Sequence, residues 1–333
     1  MTPSRRVLLY NSRLPNSNFH LAVSLWRACR ETPGVEVETA QPDTLPLLLR
    51  AFFPDIVLAF GGEALTVEAV RAARQRFSPP GAVWALWTTE DPFEREVNCE
   101  VAPAFDVVFT SDQDSREAYV RAGQPNAHWL PLAGDEAFSY HPVVTDEDRL
   151  LYDLIFVGTA WPNRVAFFKE LLTACRKAGL RTRFVLPTNE HLSSETLEAL
   201  GLPAFERDYR ISPGDLARLQ NRSRCALALF RDFSRFSGIP RPQTSPTNRF
   251  YETALAGTAQ IPVSEVIDVA RFYPELSGAV FPETTAEGVV AHVLRARERP
   301  EERSEAARRV QEFVRSGHLY RHRLAELLSK AMP

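Results

Sequence analysis

Cysteine is scarce in this chain of 333 residues: Cys29, Cys99, Cys175 and Cys225 stand far apart, with no CxxC pair. That spacing offers neither a zinc knuckle nor a disulfide framework, so buried free thiols are the expectation. Charge of one sign is lacking too. Lys and Arg number 39 against 42 Asp and Glu, a formal net charge of −3, which makes no field to gather nucleic acid or anionic lipid. No apolar run approaches membrane-spanning length. The opening Met-Thr-Pro-Ser-Arg-Arg leads only into Val7–Tyr10, a strand and not a signal peptide. A cytoplasmic protein without nucleic-acid or integral-membrane partners is expected. Three signatures are also missing: GxGxxG after a first strand, GxxxxGKS/T, and GxSxG. Their absence argues against an ordinary dinucleotide dehydrogenase, a P-loop enzyme and a nucleophile-elbow hydrolase.

What remains is a chain with 44% apolar and 24% charged residues, long enough for two domains. Short, continuous apolar runs read as buried parallel strands: VLLY before 10, DIVLAF at 55–60, AVWALW at 82–87 and DVVFT at 106–110. Helical spacing separates them, as in 19–31, where Leu21, Leu25 and Ala28 share a face. A polar stretch at 140–150 reads as a crossing between domains. The alternation then restarts with DLIFV at 153–157, a helix over 164–178 and CALALF at 225–230. A charged tail helix from Pro300 breaks near Gly317. This alternation predicts an α/β chain of two doubly wound, Rossmann-like halves with ligands at the C-terminal strand ends.

One stretch combines several signals: Ser245–Gly257, SPTNRFYETALAG. Pro246 suits a helix start, Thr247 or Asn248 can cap it, and Gly257 is a ready terminator. Arg249 and Glu252, three apart, share a side of that helix. Guanidinium and amides attract phosphate, and a carboxylate accepts hydrogen bonds from ribose hydroxyls, which makes a nucleotide clamp. A surface helix with one ion pair is the alternative.

Several motifs in order carry a resemblance: WTTEDPFE at 87–94, FDVVFTSD at 105–112, NAHWLPLAGDEAF at 126–138, LIFVGTAWPNR at 154–164, NRFYETALAG at 248–257 and GHLYRHRLAELL at 317–328. The chain resembles the CgeB-like glycosyltransferases. The resemblance implies a GT-B fold, two Rossmann-like domains facing each other across a cleft. Residues 1–142 would form the acceptor-side domain and 151–316 the nucleotide-sugar domain, with a helix in 317–333 crossing back to the first. It implies a hexosyltransferase-like enzyme using a nucleotide sugar, a UDP-sugar by preference, with retention of configuration. In the wider retaining group two glutamates separated by seven residues serve the donor. The second, for the ribose, corresponds to Glu252, whereas the first position is occupied by Thr244.

Such a transfer needs its leaving diphosphate stabilised. Asp112-Gln-Asp114 has the DxD pattern but opens a helix, where acids are ordinary, so a metal-independent reaction is expected. The protein must then provide cations and amides. Gly158 and Thr159 follow the second half's first strand and permit close backbone approach; Arg164 on the next helix can reach a diphosphate, as can Arg249 beside Asn248. Arg231, Arg235 and Arg241 lie in a Pro- and Ser-rich loop that either closes over a donor or is simply solvated. Tyr209 and Arg210 fall where this architecture borders the nucleobase. Trp161 either closes on the sugar or packs at the domain edge. In the first half Glu90 and Asp91 end an apolar strand and are candidates for deprotonating an acceptor hydroxyl, with a turn shaped by Asp91-Pro92 as the alternative. Asp135 and Glu136 are candidates for hydrogen bonds between the halves. Two other readings stay open: a non-catalytic two-lobed nucleotide- or sugar-binding protein, and a nucleotide-sugar epimerase.

Overall fold

A computed structural model of the chain describes residues 4–10, 19–62, 65–186, 194–202, 211–232, 241, 243–263 and 269–332. Contacts divide it into two compact units, Met1–Leu132 with Tyr320–Pro333, and Ala133–Ser234 with Gly238–Leu319.

The first unit runs β1 (Arg5–Tyr10), α1 (Phe19–Glu31), β2 (Val35–Ala40), α2 (Leu45–Phe52), β3 (Ile56–Phe60), α3 (Val67–Phe77), β4 (Val83–Trp87), α4 (Arg95–Val101), β5 (Val107–Thr110), α5 (Arg116–Arg121) and β6 (Ala127–Trp129). The strands form one parallel sheet in the order β2-β1-β3-β4-β5-β6. Central β3, IVLAF, is buried at every position, as a strand covered on both faces must be. Edge strand β2, VEVETA, keeps Glu36 and Glu38 exposed, a charge pattern that discourages further strand pairing. Helix α1 buries Leu21, Leu25, Ala28 and Cys29, one face at helical spacing.

The second unit continues with α6 (Glu136–Ser139), β7 (Tyr152–Val157), α7 (Pro162–Lys177), β8 (Thr182–Val185), α8 (Ser194–Glu198), α9 (Pro213–Asn221), β9 (Ser223–Leu229), α10 (Asn248–Leu255), β10 (Ala259–Val263), α11 (Val269–Phe272), α12 (Ala286–Glu298) and α13 (Pro300–Gly317). Its parallel sheet has the order β10-β9-β7-β8. Helix α7 buries Phe168, Leu171, Leu172 and Cys175 against it. After α13 the chain leaves this unit: α14 (Tyr320–Ala331) packs along α1 in the first unit, with the Tyr320 ring 6.1 Å from that of Trp87 and Arg323 Nε donating to the Pro131 carbonyl at 2.9 Å.

The boundary between the units falls earlier than the sequence suggests. Residues 133–142, assigned above to the first domain, cluster with the second unit. The polar stretch 140–150 is strapped to that unit by four side chains from three elements. Asn221 donates to the Pro142 carbonyl, Gln311 to that of His141 and Arg303 to that of Val144, while Glu147 pairs with both Arg303 and Arg224. Gly257, at φ +71°, lets this strap approach: a Cβ there would lie 2.9 Å from the His141 carbonyl oxygen. Within the second unit Asp135 caps α6 through Ala137 N and Glu136 pairs with Arg315 at 2.9 Å. The cysteines are free; burial pushes the Cys29 and Cys225 thiols up to about 12 and Cys175 up to about 11. Among the described residues no helix is long and apolar enough to cross a membrane.

Candidate functional site

In the second unit the chain passes from β7 to β8 on one side, then returns to place β9 and β10 on the other. The strand order therefore reverses between β7 and β9, the switch point at which open α/β sheets take their ligands. Two contacts tie together the loops that leave these strands. Asn163 Nδ2, in the first turn of α7, donates to the Phe230 carbonyl at 3.0 Å, and the Arg231 guanidinium lies 4.8 Å over the Trp161 ring. Gly158 ends β7, its amide donating to the Val185 carbonyl. A Cβ at this position would sit 3.2 Å from Phe156 Cζ and 3.4 Å from Arg164 Nη1, so glycine leaves room for the arginine.

Arg164 is the centre of this arrangement. Its Nη1 donates to the Thr159 carbonyl at 2.9 Å and its guanidinium lies 5.4 Å from the Phe156 ring, while its buried Nε makes no hydrogen bond. Burial, reinforced by the neighbouring cations Arg231 and Arg249 and only partly offset by Asp232, pulls Arg164 down to about 9. Three guanidinium groups thus crowd one half-buried place, a concentration of positive charge that an anion relieves.

Helix α10 supplies the third cation. Arg249 Nη1 pairs with Glu252 Oε2 at 3.0 Å, and Asn248 Nδ2 donates to Glu252 Oε1 at 3.0 Å, so both oxygens of this buried carboxylate are engaged. The expected side-chain cap is absent: Thr247 makes no capping bond, and the Asn248 side chain turns along the helix to Glu252. The first amides of α10 are therefore not capped by Thr247. Gly158, Thr159, Arg164, Asn248, Arg249 and Glu252 all belong to this unit, and Arg231 joins them. Thr244, at the position where an acid was sought, is buried. Tyr209, Arg210 and Arg235 lie outside the described residues.

The first unit holds the other candidates. Asp91 is not at an open strand end. It is buried, and four donors converge on it: Thr88 Oγ1 (2.7 Å), Thr110 Oγ1 (2.6 Å) and the Tyr119 hydroxyl (2.7 Å) on Oδ2, and Asn98 Nδ2 (3.1 Å) on Oδ1. Burial raises its pKa, against the opposing pull of these hydrogen bonds. A carboxylate so enclosed ties the end of β4, β5, α4 and α5 together. Glu90, its half-buried neighbour, holds the loop position after β4. Asp112 caps the turn that follows, accepting from Ser115 N and Oγ at 3.1 and 2.8 Å. Among the described residues no group of three His, Cys, Asp or Glu is placed to hold a metal ion. The Asp91 cluster escaped sequence reasoning because Thr88, Asn98, Thr110 and Tyr119 are far apart in the chain and ordinary one by one.

A family profile described as glycosyl transferase-like matches residues 149–329, more than half of the chain. The chain belongs to the glycosyl transferase-like family. Spore protein CgeB of Bacillus subtilis is 25% identical to this family member over 122 residues, a match that spans only 37% of either chain. Among solved structures, sucrose-phosphate synthase from Thermosynechococcus elongatus superposes with a TM-score of 0.61 at 13% identity over 98% of both chains. Anabaena HepE in complex with UDP-glucose does so at 0.62 and 11% identity, covering 97% of this chain and 99% of that one. S. aureus MnaA with UDP gives 0.55 at 13% identity over 92% of both. At these identities the likeness speaks to fold: this glycosyl transferase-like protein is a GT-B chain with two Rossmann-like domains, and its family and fold are those of a GT-B glycosyltransferase.

Proposed function

We propose that this protein transfers a hexosyl group from a nucleotide sugar, a UDP-sugar by preference, to an acceptor hydroxyl, with the donor in the crevice between β7 and β9. The arginine cluster carries the reading: Arg164, held down by burial and further by its neighbours Arg231 and Arg249, sits at the end of β7 beside Gly158 and Thr159. In the reaction the bond from the anomeric carbon to the diphosphate breaks, negative charge grows on the leaving oxygen, and the acceptor oxygen bonds to the anomeric carbon. Preorganised guanidinium groups and the amides after Gly158 stabilise that charge, so the protein's own cations do what a divalent ion does elsewhere. Glu252 accepts from the ribose hydroxyls, with Asn248 and Arg249 orienting it, and Tyr209 and Arg210 border the base. Glu90 receives the acceptor proton, while Asp91 positions its loop. Retention of configuration completes the proposal.

HepE and MnaA, of the same fold, are described with UDP-glucose and with UDP. A thermal-shift series with UDP, UDP-glucose and the corresponding guanosine and adenosine compounds, with and without Mg²⁺, tests the donor assignment. A UDP-dependent rise that needs no Mg²⁺ is expected. No shift with any nucleotide would overturn the reading. UDP release that depends on an added acceptor separates a transferase from an epimerase, which converts the UDP-sugar alone, and from a pure binder, which releases none. The anomer formed, read by NMR, tests retention.

A further inference from the structure

A second cavity lies elsewhere in the second unit, apart from the residues of the arginine crevice. It has a volume of about 620 Å³, within the range of small-molecule sites, and lies between α12, α13 and β10, the edge strand of the sheet. Its apolar wall is made of Ala259, Ala279, Ala291, Ala296 and Ala306, small side chains that leave the space open. At its margin stands Phe281, a large apolar residue left 48% exposed, its ring 6.3 Å from that of His292.

Two polar residues in the wall have atoms without a partner. Gln260 and Arg303 are each 4% exposed. Gln260 Nε2 donates to the Phe250 carbonyl, but its Oε1 accepts nothing; Arg303 Nη2 reaches Val144 and Glu147, but its Nε donates to nothing. A buried acceptor and a buried donor left unpaired each cost stability unless something meets them.

The charge around this cavity differs from that around Arg164. Its charged groups are mostly engaged: Glu302 pairs with Arg295 at 3.2 Å and Arg299 at 2.9 Å, Glu147 with Arg303 and Glu305 with Arg308, Arg309 donates to the Glu275 carbonyl, and Glu283 lies 3.3 Å from His292 Nδ1. Burial pulls His292 below its ordinary value despite Glu283, which leaves the imidazole able both to donate and to accept at neutral pH. The wall offers paired donors and acceptors, small apolar surface and one exposed aromatic face.

We propose that this cavity is a carbohydrate-binding site for neutral hexose units, separate from the donor crevice. The apolar face of a pyranose ring lies on Phe281 and the alanines, and its hydroxyls, each both donor and acceptor, meet Glu302, His292 and the arginines paired with acids. The proposal does not rest on the donor assignment.

Saturation-transfer NMR with D-glucose and maltose, with inorganic phosphate as the competing ligand, tests it on the full chain. Saturable binding of the sugars in the millimolar range is expected. Phe281→Ala and Ala291→Trp, both at exposed positions, should each weaken it at least fivefold while leaving the melting-temperature shift by UDP unchanged. Absence of sugar binding, binding that survives both substitutions, displacement of the sugar by UDP, or displacement by phosphate would each overturn the proposal. Loss of the UDP shift alone would refute the donor reading and leave this one standing.

Discussion

Replacing Arg164 by methionine separates a functional arginine from a structural one. In the folded chain its pKa falls from 12.5 to about 9, which corresponds to roughly 5 kcal/mol against the charged form. Solvent at the half-open crevice reduces that to about 1–3 kcal/mol. The folded value lies below the unfolded one, so this cost is in full force at neutral pH and fades only as pH rises past about 9. Methionine removes the cost but also removes the hydrogen bond to Thr159, about 1 kcal/mol, and the contact with Phe156, about 0.5–1 kcal/mol. The ligand-free variant should therefore melt within about 4 °C of the parent, on either side. Nucleotide binding should behave differently. Loss of one charge-assisted contact to a diphosphate costs about 1.5–3 kcal/mol, roughly 10- to 100-fold in Kd. With UDP at a hundred times the parent Kd, the parent gains about 2.7 kcal/mol and melts roughly 5–10 °C higher. A variant weakened a hundredfold keeps about 0.4 kcal/mol, roughly 1 °C. Differential scanning fluorimetry with titrated UDP reads both quantities. A ligand-free melting point many degrees lower, with the UDP shift intact, would show that Arg164 serves the fold and refute the reasoning.

Four further outcomes follow from the same geometry. Gly158→Ala places a Cβ against Phe156 and Arg164 Nη1 and should weaken UDP binding about three- to tenfold, measured by calorimetry, with little change in ligand-free melting. Wild-type protein should bind UDP more tightly than 2′-deoxy-UDP, and Glu252→Ala should abolish that preference; equal discrimination in the variant would remove Glu252 from the ribose. Asp91→Ala strips the shared acceptor from four buried donors and should cost about 3–5 kcal/mol, seen in urea unfolding. Glu90→Gln should leave stability within about 0.5 kcal/mol and UDP binding unchanged while suppressing transfer, so normal turnover in that variant would exclude Glu90 as the base.

The two carboxylates at the end of β4 illustrate where sequence reading stops. Glu90 and Asp91 are adjacent and chemically alike, and both read as strand-end acids. Burial separates them, because Asp91 turns inward to Thr88, Asn98, Thr110 and Tyr119, contacts that span 28 positions at most and leave no local trace. The helix at Asn248–Leu255 shows the converse. Its extent and its terminating glycine were readable from Pro246 and Gly257, since helix ends are set by local backbone chemistry. Its N-cap was not: Asn248 can bond either the first amides or a side chain one turn on, and packing beside Arg249 and Glu252 chose the latter.

Sequence alone determined the alternation of strands and helices and the two Rossmann-like halves, because hydrophobic period and turn residues are written locally. Tertiary structure decided that Arg164, Arg231 and Arg249 crowd one another, that the strap at 133–150 belongs to the second unit, and that a cavity opens beside β10. Each depends on distances between segments far apart in the chain, and mutual repulsion and burial exist only once those segments are packed together.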